Sequence, residues 1–297
     1  MTFIDKLRTE FSGIAVLEQE PMSKHTSFRI GGPAVIVFPS SCEELVDVYR
    51  YCISNDQYPL LLGAGTNVLA PDEGVDQIVI CTKELNKMRA LESGVLEAEC
   101  GASMSRFACF ARDLSLAGME FAHGIPGTVG GGVFMNAGAY GGEMSQIVIK
   151  TQAMLPDGAL MEVEGQEHEF AYRHSVFEEK RAVILKTQVR LTPGEKERIA
   201  EKMQELAKKR RSSQPLDLPS AGSTFKRPAG GFAAALIDEA GLKGKGFGGA
   251  IVSEKHAGFV VNVGNATAGD VLRTMEMIKE KVYKASGIEL EAEVCIW

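Results

Sequence analysis

The chain has 297 residues, 45% of them hydrophobic and 24% charged, with a formal net charge of −7. That length supports two or more domains with sizeable cores, and the balance is that of an ordinary soluble globular protein rather than a disordered chain. The negative charge argues against a nucleic-acid-binding surface, which normally carries a basic patch.

The opening MTFIDKLRTEF carries charges early and lacks the apolar run of a signal peptide. No stretch approaches the length of a membrane span. The sequence therefore predicts a cytoplasmic protein with neither a membrane nor a nucleic acid as partner. Cys42, Cys52, Cys81, Cys100, Cys109 and Cys295 form no Cys-x-x-Cys pair and have no nearby His. Zinc patterns are thereby excluded, a protein metal site is not expected, and buried reduced thiols are predicted.

In chain order, residues Ile4 to Val16 read as an amphipathic helix and a short strand, and Ala34 to Phe38 as an apolar strand. Ser41 with Glu43 and Glu44 starts a helix that runs to about Asn55. Tyr58 to Leu62 is a strand that enters Gly63-Ala64-Gly65-Thr66-Asn67-Val68. A strand feeding Gly-x-Gly invites a dinucleotide-fold reading, but the third glycine is missing and no helix of the right period follows. The turn is kept as a phosphate-contact candidate.

Short strands alternate with turns from Ile78 to Glu99, and Ser103 to Ala117 has helical spacing. Next comes FAHGIPGTVGGGVFMNAGAYGGE, residues 121–143, with glycine at 124, 127, 130, 131, 132, 138, 141 and 142 and no Lys or Arg. Glycine lets backbone approach a ligand closely, and successive free N–H groups form a concave anion site. The apolar residues between the glycines suit a flat aromatic partner, so a nucleotide cofactor fits both halves of the pattern. Tight turns and close strand crossings are the plainer reading of such a run.

Ile147 to Leu155, Pro156-Asp157-Gly158 and Ala159 to Val163 make a hairpin, and Val183 to Leu191 a strand. Thr192-Pro193-Gly194 is the boundary candidate. Beyond it lie a charged helix, Glu195 to Arg211, seamed by Ile199, Met203 and Leu206, and a helix from Gly231 to Ala240. A strand from Ala257 to Val263 and a helix from Ala268 to about Ser286 complete an α+β order of elements.

Three further places could carry chemistry: Tyr172-Arg173-His174-Ser175, Ser220 to Pro228, and the alternating Glu289, Glu291 and Glu293. Each also has a plain reading: a surface arginine, turn chemistry and the solvent face of a terminal strand. Ser223 lacks a Gly-x-Ser-x-Gly elbow, which weakens a hydrolase reading. Lys226 and Arg227 could grip phosphates or a carboxylate.

Taken in order, KHTSFRIGGPA (24–34), LLGAGTNVL (61–69), GIPGTVGGGVFMNAGAYGGE (124–143), YRHSVF (172–177), SAGSTFKRP (220–228), HAGFVVN (256–262) and GIELEAEV (287–294) resemble the UDP-N-acetylenolpyruvoylglucosamine reductase family over nearly the whole chain. The resemblance implies a two-part FAD-binding module of the vanillyl-alcohol-oxidase (PCMH) type over 1–194, split near 80, and a smaller α+β substrate domain over 195–297. Flavin contacts would fall on Gly63, Ala64, Gly65, Thr66, Asn67 and Val68, and on Pro126, Gly127, Thr128, Gly130, Gly131, Asn136 and Gly138. Arg173, Ser223 and Glu293 match the family's catalytic trio, and Tyr140, Lys226 and Arg227 stand at substrate positions.

NADPH would then reduce FAD, and the reduced flavin would reduce the enolpyruvyl group of a UDP-sugar in peptidoglycan precursor synthesis. Arg173 would stabilise the developing enolate-like charge and Ser223 would supply the proton. Glu293 would act either protonated, through burial, or by orienting Arg173 or a water. Three positions depart from the pattern: Thr66 stands where serine is commoner, Arg227 for a frequent asparagine, and Cys295 for a frequent arginine. The short path from Gly241 to Gly258 resembles the subclass without the tyrosine-bearing substrate loop, and the enzyme is expected to be a monomer. Two other readings stay open on the residues alone: an FAD oxidase acting on an alcohol or aldonolactone, and a non-catalytic binder of sugar nucleotides.

Overall fold

The computed structural model of the chain describes residues 2–229 and 231–297. Its packing forms two compact units, each discontinuous in sequence: Met1–Leu17, Ile36–Ala64 and Gln77–Lys209 in one, and Glu18–Val35, Gly65–Asp76 and Arg210–Trp297 in the other. This division differs from a boundary at Gly194. Thr192–Pro193 pairs antiparallel with Leu116–Ala117, and Gly194 N–H donates to the Ser115 carbonyl at 2.9 Å. The helix Lys196–Ser213 then buries Ile199, Met203 and Leu206. Pro193-Gly194 is thus a strand end, and the chain leaves the first unit only after Lys209.

In the first unit, a five-stranded antiparallel sheet runs in the order Leu160–Glu164, Val148–Met154, Val183–Arg190, Val95–Glu99, Met88–Ala90. The first two strands form the predicted hairpin. Gly158 takes φ +83° and its N–H donates to Leu155, while Asp157 accepts from the Ala159 N–H, so turn chemistry sets the register. Every residue of Val95–Glu99 is buried, including Glu97, which accepts from Arg89 Nε at 2.8 Å and from Gln188 Nε2 at 2.9 Å. Elsewhere in the unit, Leu60–Leu62 pairs in parallel with Ile78–Cys81. The helix Cys42–Ser54 starts where Ser41 Oγ accepts from the Glu44 N–H.

The helix predicted from Ser103 ends earlier than its spacing suggested, at Asp113. Ser115 takes φ +55° and turns the chain into the Leu116–Ala117 strand. Cys42, Cys52, Cys81 and Cys100 are buried, as expected, but Cys109 is half-buried and Cys295 is exposed. Burial pushes the Cys42 and Cys52 thiols up to about 12, which keeps them protonated. Among the described residues no group of three or more His, Cys, Asp or Glu side chains could hold a metal ion, and no helix is long and apolar enough to cross a membrane.

His168 is fully buried, sharing a hydrogen bond of 2.9 Å with Thr151 Oγ1 and one of 2.9 Å with the Gly165 carbonyl, and it stacks on Phe170. Burial holds its pKa below the ordinary 6.5. The unfolded chain therefore binds a proton that the folded chain resists, and the associated stability is complete above pH 6.5 and lost as pH falls below it. Urea midpoints are expected to fall between pH 7 and pH 5, with part of the slope from His256, which burial depresses likewise. His168→Gln should flatten that slope whatever it does to stability at pH 7. An unchanged slope would show that His168 is not the titrating group.

The second unit has one core, in which the helix Ala268–Ser286 contributes Val271, Met275, Ile278 and Val282 against Phe28, Leu69, Phe225, Val252 and Val260. A capping box of Thr267 and Asp270 starts that helix. Asp72 also caps it, accepting from the N–H groups of Ala268 and Gly269 at 2.8 and 3.2 Å. Gly246–Phe247 and Ala250–Val252 pair around Gly248, at φ +51°. The predicted helix from Gly231 is shorter, Ala233–Glu239, and the alternating segment 287–294 is not a continuous strand. Only Ala292 bridges there, to Phe225, and the terminal strand is Cys295–Ile296, parallel to Val68–Leu69.

Candidate active site

The glycine stretch folds differently from a chain of open turns. Val129–Phe134 is a short helix whose N-cap, Thr128, accepts from the Gly131 N–H at 3.3 Å. The Val129 N–H donates to Ala102 at 2.7 Å, Gly130 to Cys100 at 2.8 Å, and Gly132 to Thr128 at 2.8 Å. These amides are therefore engaged by the protein, and the expectation of a run of free N–H groups fails across 129–132.

Two of the helix glycines answer to packing. A Cβ on Gly130 would lie 2.8 Å from the Cys100 Cβ, and one on Gly132 2.9 Å from the Met104 sulfur. Gly131 is the exception. It is exposed, and a Cβ there would meet only Thr128 Oγ1, at 3.6 Å. The turn at Gly63 approaches the same place, since a Cβ on Gly63 would sit 2.6 Å from Thr128 Oγ1. Two glycine-bearing turns far apart in sequence thus meet at one threonine.

After that helix the chain makes two tight turns that present side chains. Gly138–Ala139 and Gly142–Glu143 pair antiparallel, with Tyr140 at φ +54° and Gly141 at φ +86° between them, the geometry of a type I′ hairpin. Tyr140 stands at its tip, 47% exposed. Ala171 and His174 exchange two hydrogen bonds of 3.2 Å, enclosing Tyr172 and Arg173 in a second two-residue turn. Arg173 takes φ +54°, and its guanidinium lies 5.2 Å from the centre of the Tyr172 ring.

The other predicted residues gather in the second unit. Gly65 takes φ +65°, and a Cβ there would lie 2.1 Å from the His25 carbonyl, so only glycine fits. The Ser27 N–H donates to Gly65 at 2.9 Å and its hydroxyl donates to the Ser220 carbonyl at 2.5 Å. Asn67 Nδ2 donates to the Glu293 carbonyl at 2.9 Å, and the Cys295 N–H donates back to the Asn67 carbonyl at 2.9 Å.

The segments that carry Ser223 and Glu293 are joined by a short antiparallel track in which the Glu293 N–H donates to Thr224 and the Lys226 N–H to Glu291, each at 2.9 Å. Lys226 Nζ pairs with Glu291 Oε1 at 2.6 Å across that track. Arg227 lies 4.4 Å over the Phe232 ring. A cleft of about 450 Å³ is lined by Lys226, Arg227, Pro228 and Ala229 on one side and Ile288, Glu289 and Glu291 on the other.

Sequence reasoning named Asn136 as a flavin contact and Ser175 as part of a polar patch, but did not read either as a residue that holds these turns. Asn136, 2% exposed, donates from Nδ2 to the Ala171 carbonyl at 3.1 Å and accepts at Oδ1 from the Ser145 N–H at 2.9 Å. Ser175 Oγ donates to the Phe134 carbonyl at 2.7 Å. Their available signals were weak: an Asn among glycines suits positive φ, and a Ser before an apolar helix start suggests a cap, although here its hydroxyl goes elsewhere.

Sequence comparison matches residues 33–164 to the model of an FAD binding domain and residues 214–297 to that of the UDP-N-acetylenolpyruvoylglucosamine reductase C-terminal domain. The UDP-N-acetylenolpyruvoylglucosamine reductase of Caldanaerobacter subterraneus subsp. tengcongensis is 44% identical over 295 residues, 99% of this chain and 97% of that one. That of Geobacillus thermodenitrificans is 44% identical over 285 residues, 95% and 92% of the two chains. The crystal structure of the Thermus caldophilus reductase superposes with a TM-score of 0.81 at 32% identity, covering 96% of this chain and 99% of the other. By sequence and by fold, the chain belongs to the UDP-N-acetylenolpyruvoylglucosamine reductase family, FAD-containing oxidoreductases of peptidoglycan precursor synthesis.

Proposed function

We propose that this enzyme uses NADPH to reduce the enolpyruvyl group of UDP-N-acetylglucosamine enolpyruvate to the lactyl ether of UDP-N-acetylmuramate, with Ser223 as the proton donor. The observation that carries the reading is the pair of hydrogen bonds that ties Glu293 at its carbonyl to the Asn67 side-chain amide and at its N–H to the Thr224 carbonyl. A residue from the predicted flavin turn, the neighbour of the proposed acid Ser223 and the backbone of Glu293 are thereby fixed to one another.

The residues present suit FAD. The close approach of Gly63 to Thr128, the exposed Gly131 and the absence of Lys or Arg between 121 and 143 leave room for a nucleotide held by main chain and apolar contact. Gly63 to Val68, Pro126, Gly127, Thr128, Gly131 and Gly138 are the residues assigned to hold it, with Asn136 through its main chain alone, since both ends of its amide are engaged by the protein, whereas Gly130 packs on Cys100. When bound, FAD supplies the carrier that takes two electrons from NADPH and delivers them with a hydrogen to the enolpyruvyl carbon.

The protein's own part is electrostatic and protic. Arg173 offers a fixed fork of N–H donors to the carboxylate and the neighbouring carbon as negative charge develops there. Ser223 hands its hydroxyl proton to that carbon. A serine is a weak acid, so its usefulness lies in being held close, and the Thr224 hydrogen bonds on either strand restrain it. Glu293 is held by its own N–H and carbonyl, which fixes the carboxylate's starting point for orienting a proton or a water.

Tyr140, Lys226 and Arg227 are assigned to the sugar nucleotide, with the Lys226–Arg227 cleft suited to phosphate oxygens. By role, residues 1–194 carry the flavin contacts together with Tyr140 and Arg173, and residues 195–297 carry Ser223, Glu293 and the remaining substrate contacts. The short hairpin around Gly248 takes the place of a longer substrate loop, and the enzyme works as a cytoplasmic monomer.

The visible spectrum of the purified protein tests this reading. Flavin bands should be present, bleach with NADPH without air, and return on adding UDP-N-acetylglucosamine enolpyruvate. A colourless protein, or a reduced flavin that the sugar nucleotide leaves bleached and air alone restores, would overturn it.

A further inference from the structure

We propose that Asn136 is a positioning residue that sets Arg173 and Tyr140 together, through main-chain bonds to both turns that carry them. The inference rests on the roles assigned above to those two side chains. Arg173 is a non-glycine residue at φ +54°, a conformation that costs a side-chain-bearing residue roughly 1–2 kcal/mol. Such a turn persists only where its surroundings hold it. Its own two hydrogen bonds between Ala171 and His174 close the loop but do not fix where the loop sits.

Two side-chain contacts tie it to the end of the glycine helix. Asn136 Nδ2 grips the Ala171 carbonyl before the turn, and Ser175 Oγ grips the Phe134 carbonyl after it. Phe134 and Asn136 lie two residues apart, at the end of the short glycine helix. The turn is therefore pinned on both sides to one place in the fold.

The same asparagine reaches the Tyr140 hairpin. Its Oδ1 accepts from the Ser145 N–H, just past the hairpin's second strand, Gly142–Glu143. Donor and acceptor ends of one buried amide thus tie two separate tight turns, and Asn136 itself takes φ +43°, which asparagine tolerates better than most residues. Aspartate keeps the acceptor for Ser145 but sets a carboxylate against the Ala171 carbonyl. Alanine loses both ties.

Single-turnover reoxidation of the NADPH-reduced holoenzyme by UDP-N-acetylglucosamine enolpyruvate tests this in two backgrounds. In the natural sequence, Asn136→Ala is expected to slow reoxidation about tenfold, equivalent to about 1.4 kcal/mol, and to raise the substrate concentration giving half the maximal rate. In an Arg173→Ala background the same change should alter the maximal rate less than about twofold, because there is no guanidinium left to misplace. Asn136→Asp should behave as Asn136→Ala does on rate.

An equal factor in both backgrounds would overturn the inference while leaving the role of Arg173 intact. If Arg173→Ala alone leaves reoxidation unchanged, the catalytic assignment of Arg173 fails instead. Should Asn136→Ala not fold, Ser175→Ala cuts the other tether and is read by the same comparison, with the same two outcomes.

Discussion

Ser223→Ala is expected to leave the flavin reducible by NADPH and to slow its reoxidation by UDP-N-acetylglucosamine enolpyruvate by about a hundredfold or more, the scale of losing a positioned proton donor. The fold should tolerate the change. The segment is held through its neighbour: the Thr224 N–H donates to Gly258 at 2.8 Å, its carbonyl accepts from Glu293, and its hydroxyl accepts from Val260 N–H at 2.9 Å. Thr224 is 1% exposed and Phe225 3%. Alanine at 223 removes one oxygen and leaves those bonds in place. Stopped-flow absorbance separates the two half-reactions, and an equal fall in both would show that the hydroxyl does not act on the enolpyruvyl carbon.

Arg173→Ala is expected to cost roughly 10²–10³-fold in the same reoxidation, the scale of removing a preorganised donor from a developing oxyanion. Arg173→Lys should recover only part of the loss, because an ammonium keeps the charge and lacks the two-pronged geometry. Stability supplies an independent check. At φ +54° a glycine avoids the strain that any Cβ incurs. Arg173→Gly should therefore be more stable than Arg173→Ala by about 1 kcal/mol, though equally slow. Thermal or urea midpoints that rank alanine above glycine would mean that the turn does not hold the left-handed conformation in solution.

The two substitutions probe different sides of one chemical step. Arg173 lowers the energy of the charge as it forms, whereas Ser223 removes that charge by protonation. Loss of the guanidinium should slow the formation of that charge itself. Loss of the hydroxyl instead leaves the reduced carbon to find its proton from water.

Several features follow from the sequence because they rest on interactions within a few residues. Ser41 and Thr267 cap their helices through N–H groups three positions on. Asp157 and Gly158 close the hairpin between neighbouring strands. The seam Ile199, Met203 and Leu206 buries one stripe of its helix. Local geometry sets each of these whatever the rest of the chain does, and the ordered motifs from Lys24 to Val294 carry the family with them.

Tertiary structure decided the rest. Whether Gly130 faces a ligand or Cys100, and Gly132 a ligand or Met104, depends on residues far away in sequence that happen to pack there. The amides of Val129 to Gly132 found protein acceptors, so a glycine run that promised an open anion site became a packed helix with one exposed position, Gly131. Asn136 looked like part of that run, yet its amide bonds the main chain near Arg173 and Tyr140. Pro193-Gly194 looked like a boundary, yet it ends a strand paired with Leu116–Ala117. In each case the residue type fixes what bonds a group can make, and only the folded chain decides which distant partner comes close enough to make them.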